Sequence, residues 1–176
     1  MFFGFLLLVI STIGSLFLTK VYKRNRDLYS WLPHELKNAA LAFNEHTIYT
    51  NQPYRIIGRA DRIYQLPNGN YVPLEYKTRP NNNKYPEDIA ELSLQAWQLR
   101  RENKQTEGYG FVVVKNMLTG KRTSFRVDLK GDAYCQALIE RHLAVKGSTV
   151  PAKKSIGPKC KACGHTARCV NSKGNF

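Results

Sequence analysis

Asp61, Glu75 and Lys77 are the residues of this chain whose types and spacing could do chemistry. Glu75 and Lys77 stand two apart in VPLEYKTR, residues 72–79, so on a β-strand they point to one face. Asp61 lies in the preceding apolar stretch, YRIIGRADRIYQL. Two carboxylates opposed on neighbouring strands repel each other unless a cation sits between them. Hard divalent ions such as Mg²⁺ and Mn²⁺ suit such oxygen ligands and keep several waters. An ion of that kind activates a water and stabilises charge growing on a phosphate, while a nearby lysine orients the nucleophile. The plainer reading is a surface group of charges in which Arg59 and Lys77 neutralise the acids, since D…E-x-K patterns are common by chance.

Whether the three side chains meet depends on the turn PNGN between the two strands. A two-residue loop at Asn68-Gly69 places Asp61 opposite Tyr76, with Asp61 and Glu75 on opposite faces. A three-residue loop, Pro67-Asn68-Gly69, sets Leu66 against Asn70, Asp61 against Glu75, and Arg59 against Lys77. The second uses each turn residue better, with Pro at the first corner and Gly supplying the left-handed residue. Pro73 inside the second strand points to a bulge or a missing ladder bond.

The elements around this hairpin follow from periodicity. In DLYSWLPHELKNAALAFNEH, residues 27–46, Leu36, Ala39, Ala40 and Phe43 recur at helical spacing, which predicts a helix beginning after Ser30 or Pro33. EDIAELSLQAWQLRREN reads as a helix with Pro86, Glu87 and Asp88 suited to its start and Arg100 and Arg101 to its end. GYGFVVVKN and RTSFRVDL form a second hairpin around MLTGK, and GDAYCQALIERHLAVKG is the last helix. The order predicts an α/β layered domain with a mixed sheet flanked by helices.

The chain has 27 Lys and Arg against 13 Asp and Glu, a formal net charge of +14. That excess favours a polyanionic partner, nucleic acid first and an anionic membrane surface second. Phe2–Thr19 carries no charge, and Lys20, Lys23, Arg24 and Arg26 follow at once. This predicts a transmembrane anchor over residues 1–19 and a basic juxtamembrane linker over 20–30. The main domain, 31–150, then lies on the cytoplasmic side of a membrane, a bacterial inner membrane being the expected one, and 151–176 form a basic, cysteine-bearing tail. The alternatives are a buried or interfacial helix and a cleaved signal peptide. The second is disfavoured because no basic residue precedes the apolar run.

GRADRIYQLPNGNYVPLEYKTR, with G-x-x-D on one strand and E-x-K on the next, resembles the PD-(D/E)XK nuclease superfamily in its RecB-like branch. DIAELSLQAWQL is similar to the D-x-x-Q-L-x-x-Q-A stretch of CRISPR-associated (Cas4-like) exonucleases, with Glu91 in place of the first Gln and Gln95 on the second. The resemblance spans about Pro33 to Cys169. It implies a restriction-endonuclease-like core and Mg²⁺- or Mn²⁺-dependent cleavage of DNA, from single strands or double-stranded ends. It implies that Asp61, Glu75 and the Tyr76 carbonyl bind the metal and that Lys77 positions the attacking water. It also implies a further ligand on the first helix, for which His34, Glu35 and His46 are candidates. Glu91 and Gln95 are four apart on one helix face and could line the DNA or metal site, with Arg79 among the phosphate contacts.

Cys160 and Cys163 have the C-x-x-C spacing that brings two thiolates to one ion, and Cys169 follows. The resemblance implies a 4Fe–4S cluster on three such cysteines and a fourth, which is missing here from its usual place. Three possibilities stand: a cluster with a non-cysteine ligand, a zinc site completed by His165, or no metal. Cys135 is predicted mid-helix as a small buried residue.

Overall fold

A computed structural model describes residues 31–153 and 158–165. The predicted anchor and linker over residues 1–30 lie outside the described residues. Among the described residues no helix is long and apolar enough to cross a membrane. Five strands, β1 (Ala40–Thr50), β2 (Ile56–Gln65), β3 (Tyr71–Arg79), β4 (Tyr109–Asn116) and β5 (Arg122–Asp128), form one sheet in the order β1-β2-β3-β4-β5. Helix α1 (Pro86–Arg101) connects β3 to β4, and α2 (Asp132–Lys146) follows β5. The chain divides into two compact units at Cys135, the first holding the whole sheet and α1.

The β3–β4 pair is parallel and every other neighbour is antiparallel, which makes the sheet mixed, as expected. A parallel pair needs a long crossover, and α1 supplies it. Leu92 of α1 therefore packs with Val112, Val114 and Val127 on one face, and Leu99 packs with Ile48, Ala60 and Ile63. The opposite face buries Leu36, Tyr64, Val72, Leu74, Phe111 and Val113 together.

The predicted first helix is corrected. Residues 34–36 form only a short 3-10 turn, and 40–50 are β1, paired with β2 from Ala40↔Gln65 to Thr50↔Ile56. Leu36 and Ala39 do face the core, but the partner edge of β2 claims the backbone groups from Ala40 onward, and Thr47, Ile48, Tyr49 and Thr50 suit a strand. Local apolar spacing lost to a hydrogen-bonding partner strand that lies downstream, as far off as Gln65 for Ala40. Glu45 takes a φ of 52°, a left-handed conformation that a regular helix could not contain.

The turn between β2 and β3 adopts the three-residue register. Leu66 N–H donates to Asn70 O at 2.9 Å, Gly69 N–H donates to Leu66 O at 2.9 Å, and Gly69 has a φ of 89°. The ladder then runs from Gln65↔Tyr71 to Arg62↔Leu74, with Pro73 opposite Ile63. It ends one pair short of Asp61. Gly58 lies against Gln98 of α1, and Ala60 and Ile63 pack with Leu99. Strict alternation would not bring residues 58, 60 and 63 to one face. The phase of β2 slips by a residue between Ala60 and Ile63, and Asp61 lies in that slip.

Gly58 also explains how closely α1 seats on β2. A Cβ there would lie 2.2 Å from Gln98 Oε1, and the buried Gln98 amide donates to Ile48 O at 3.3 Å and Ile56 O at 3.4 Å. Gly58→Ala is expected to push that amide off both carbonyls and cost about 1–3 kcal/mol. Urea unfolding of the purified protein measures this, and an unchanged midpoint would show that Gln98 relaxes freely.

Candidate active site

Glu75 and Lys77 pair with Val112 and Val114 on β4, so both point to the face that α1 covers. Glu75 is only 4% exposed. A carboxylate so placed needs donors, and it has two: Lys77 Nζ donates to Oε1 at 2.7 Å, and Gln95 Nε2 donates to Oε2 at 3.0 Å. Lys77 Nζ also donates to Glu91 Oε2 at 2.7 Å. From one turn apart on α1, Glu91 therefore reaches Lys77 and Gln95 reaches Glu75. Asp61 joins from β2, where its Oδ2 accepts the Tyr76 N–H at 2.8 Å. A side chain thus takes the place of the next ladder bond, at the point where β2 and β3 part.

Burial drives the Glu75 carboxyl above its ordinary 4.5; the Lys77 and Gln95 hydrogen bonds pull it down, and the charges of Glu91 and Asp61 push it up again. For Lys77, burial pulls the pKa down, but the bonds to Glu75 and Glu91 outweigh it and hold the amine above its usual 10.5. The four charged groups comprise three carboxylates and one ammonium. They leave two negative charges unmatched within the group. Gln95 Oε1 is buried and, among the described residues, has no hydrogen-bond partner.

The other expected site residues lie elsewhere or do different work. Glu35 follows Pro33 in the 3-10 turn, next to Leu36 in the core of the opposite face, and its carboxylate is 3.4 Å from Arg126. The sheet itself separates Glu35 and its neighbour His34 from Glu75, so neither is a ligand with Asp61. His46 is a strand residue rather than a helical one; it stands opposite Ala60 with its ring stacked on Phe43 at 4.4 Å. Among the described residues no three His, Cys, Asp or Glu side chains converge as a ready ligand set. Gln95, 3% exposed, is too deep to contact DNA and instead orients Glu75. Arg59 pairs with Glu45 at 2.8 Å rather than with the acids of β2 and β3.

Arg79 is also corrected as a phosphate contact. Its guanidinium grips Asp88 with two bonds, at 2.5 and 2.8 Å, donates to Asn83 O at 2.8 Å and lies 4.6 Å from the Tyr85 ring centroid. Asp88 in turn accepts the Tyr85 N–H at 2.8 Å, closing the start of α1. Asp88 stands at the positive helix end, as expected, and its pairing with Arg79 joins β3 to α1 across a loop, which no local pattern reveals. Cys163 N–H donates to Cys160 O at 3.2 Å beside the turn Pro158–Ala162, and Cys169 lies outside the described residues. Cys135 is buried as expected, which pushes its thiol pKa up.

No family model matches the chain, and no curated protein matches it. A solved structure described as the crystal structure of SSO0001 is similar at a TM-score of 0.49 and 16% sequence identity, covering 92% of this chain and 70% of that one.

Two outcomes follow from these electrostatics. A carboxyl with a raised folded-state pKa costs stability as pH climbs from its unfolded value, about 4.5, through its folded one. The stability of Glu75→Gln relative to the parent should therefore rise over that window, and thermal melts at stepped pH check it; a flat difference would mean that Lys77 fully offsets burial. Arg79→Ala should destabilise by about 2–3 kcal/mol by stranding the buried Asp88. The Asp88 carboxyl is held below its ordinary 3.8, where the Arg79 and Tyr85 hydrogen bonds outweigh burial, so this loss should shrink as pH falls through that region.

Proposed function

We propose that this protein is a divalent-metal-dependent deoxyribonuclease of the PD-(D/E)XK type, held at a membrane by residues 1–19 with its domain on the cytoplasmic side. The observation that carries the reading is Lys77: its amine lies against the buried Glu75, a carboxylate that also feels the charge of Asp61. Fixed amines and carboxylates at one point of a sheet suit attack by water on a phosphodiester.

The donor set suits Mg²⁺ or Mn²⁺. Asp61 and Glu75, with the Tyr76 carbonyl, would hold the ion, and two carboxylates plus waters are its usual complement. Two unmatched negative charges and the mutual repulsion of Glu75, Asp61 and Glu91 favour a cation there. Glu75 spends one lone pair of each oxygen on Lys77 and Gln95, which leaves one on each. When bound, the ion supplies Lewis acidity toward a water and toward the phosphate oxygens.

The protein's own groups do the rest. Gln95 fixes the rotation of the Glu75 carboxylate, and the Tyr76 N–H fixes that of Asp61. Lys77 orients the attacking water through its amine, which stays protonated at neutral pH. Glu91, with its side chain 44% exposed, holds that amine forward and is open to solvent on the substrate side. A second reading, a DNA-binding tether that does not cut, is favoured by this same contact, since Glu91 competes with any water for Lys77.

The test is cleavage of labelled single- and double-stranded DNA by the full chain with Mn²⁺ or Mg²⁺. Asp61→Ala and Lys77→Ala should each reduce it about 100-fold or more. Calorimetry should find metal uptake in the parent and none in Asp61→Ala. DNA binding without metal-dependent cutting in the parent would leave the tether.

A further inference from the structure

The turn between β4 and β5 exposes two apolar side chains where a soluble hairpin normally carries polar ones. Leu118 is 83% exposed and Met117 63%. The turn is nevertheless tightly held. Asn116 Oδ1 accepts the Leu118 and Thr119 N–H groups, both at 2.9 Å, and Asn116 Nδ2 donates to Pro80 O at 3.2 Å. Met117 N–H donates to Arg79 O at 2.8 Å. These bonds staple the tip to the end of β3, the strand that carries Glu75 and Lys77.

The surroundings are basic. Lys115, Lys121 and Arg122 flank the tip, all exposed; Lys115 and Arg122, paired across β4 and β5, point to the sheet face opposite Lys77, with the Arg122 guanidinium 5.6 Å from the Trp31 ring centroid, and no Asp or Glu occurs from Tyr109 to Val127. Val114 is the β4 partner of Lys77, and Leu118 is four residues further along. β4 continues only two residues past Val114, to Asn116, which at about 3.3 Å per residue is about 7 Å, before the chain turns at Met117 and Leu118.

We propose that Met117 and Leu118 form a wedge that parts the strands at a DNA duplex end, while the flanking Lys115, Lys121 and Arg122 hold the phosphates. The inference rests on the proposed nuclease reading for its substrate. Apolar side chains of these types unstack bases when a protein drives them between steps, and a rigid tip is required for that work. Charge complementarity selects a polyanion, and attachment to the strand that bears Lys77 selects the substrate of that site over a membrane surface.

The experiment uses the full chain and the variant Met117→Ser/Leu118→Ser, which changes only exposed side chains. A blunt duplex carries 2-aminopurine three steps from its end, and EDTA prevents any cutting. Binding of the parent, followed by anisotropy, should raise the fluorescence several-fold as the base unstacks, and the variant should bind with less than a fifth of that rise. With Mn²⁺ present, the variant should cut blunt duplex at least tenfold more slowly and single strands at the parent rate. Equal fluorescence from parent and variant overturns the wedge even if both cut DNA. Unstacking by a parent that never cuts supports the wedge and overturns the nuclease reading instead. Loss of binding to phosphatidylserine vesicles in the variant, with its duplex fluorescence intact, would assign the tip to a membrane and overturn the proposal.

Discussion

A carboxylate withdrawn from water has to be surrounded by donors, and Glu75 organises its part of the molecule on that account. Its position on β3 directs it under α1, where solvent cannot reach. Lys77 and Gln95 meet its two oxygens from two different elements. Without both, burial of the charge would oppose folding by several kcal/mol. The strand, the helix and the spacing between them are therefore tied to one ionised group.

The crossover between β3 and β4 makes that arrangement possible. A parallel pair forces the connecting helix across the sheet, so α1 lies over β3 with Leu92 and Leu99 in apolar contact and Glu91 and Gln95 toward the charged residues. The absent Cβ of Gly58 lets Gln98 approach β2, and Arg79 with Asp88 closes the helix start against the end of β3. Apolar packing sets the height of the helix above the sheet. Hydrogen bonds set its rotation.

Asp61 adds a different device. Where β2 and β3 part, the Tyr76 N–H loses its strand partner and takes a carboxylate oxygen instead. The backbone donor is satisfied, and a second negative charge is fixed near Glu75 without a regular ladder between them. The same slip in β2 lets Ala60 and Ile63 both reach the core beside Leu99.

Pattern and turn chemistry in the sequence were enough to place the β2–β3 hairpin, its three-residue loop, the face shared by Glu75 and Lys77, both α-helices and the β4–β5 hairpin. Each of these rests on interactions within a few residues, which is why it was legible. β1 was not, because Leu36, Ala39, Ala40 and Phe43 satisfy helical spacing locally while β2 supplies the hydrogen bonds that decide the outcome. The sidedness of Glu35, the deep seat of Gln95 and the capture of Arg79 by Asp88 were likewise invisible. Those facts depend on which face of the sheet a residue joins and on what packs over it, and only the closed tertiary structure brings such distant groups within bonding range.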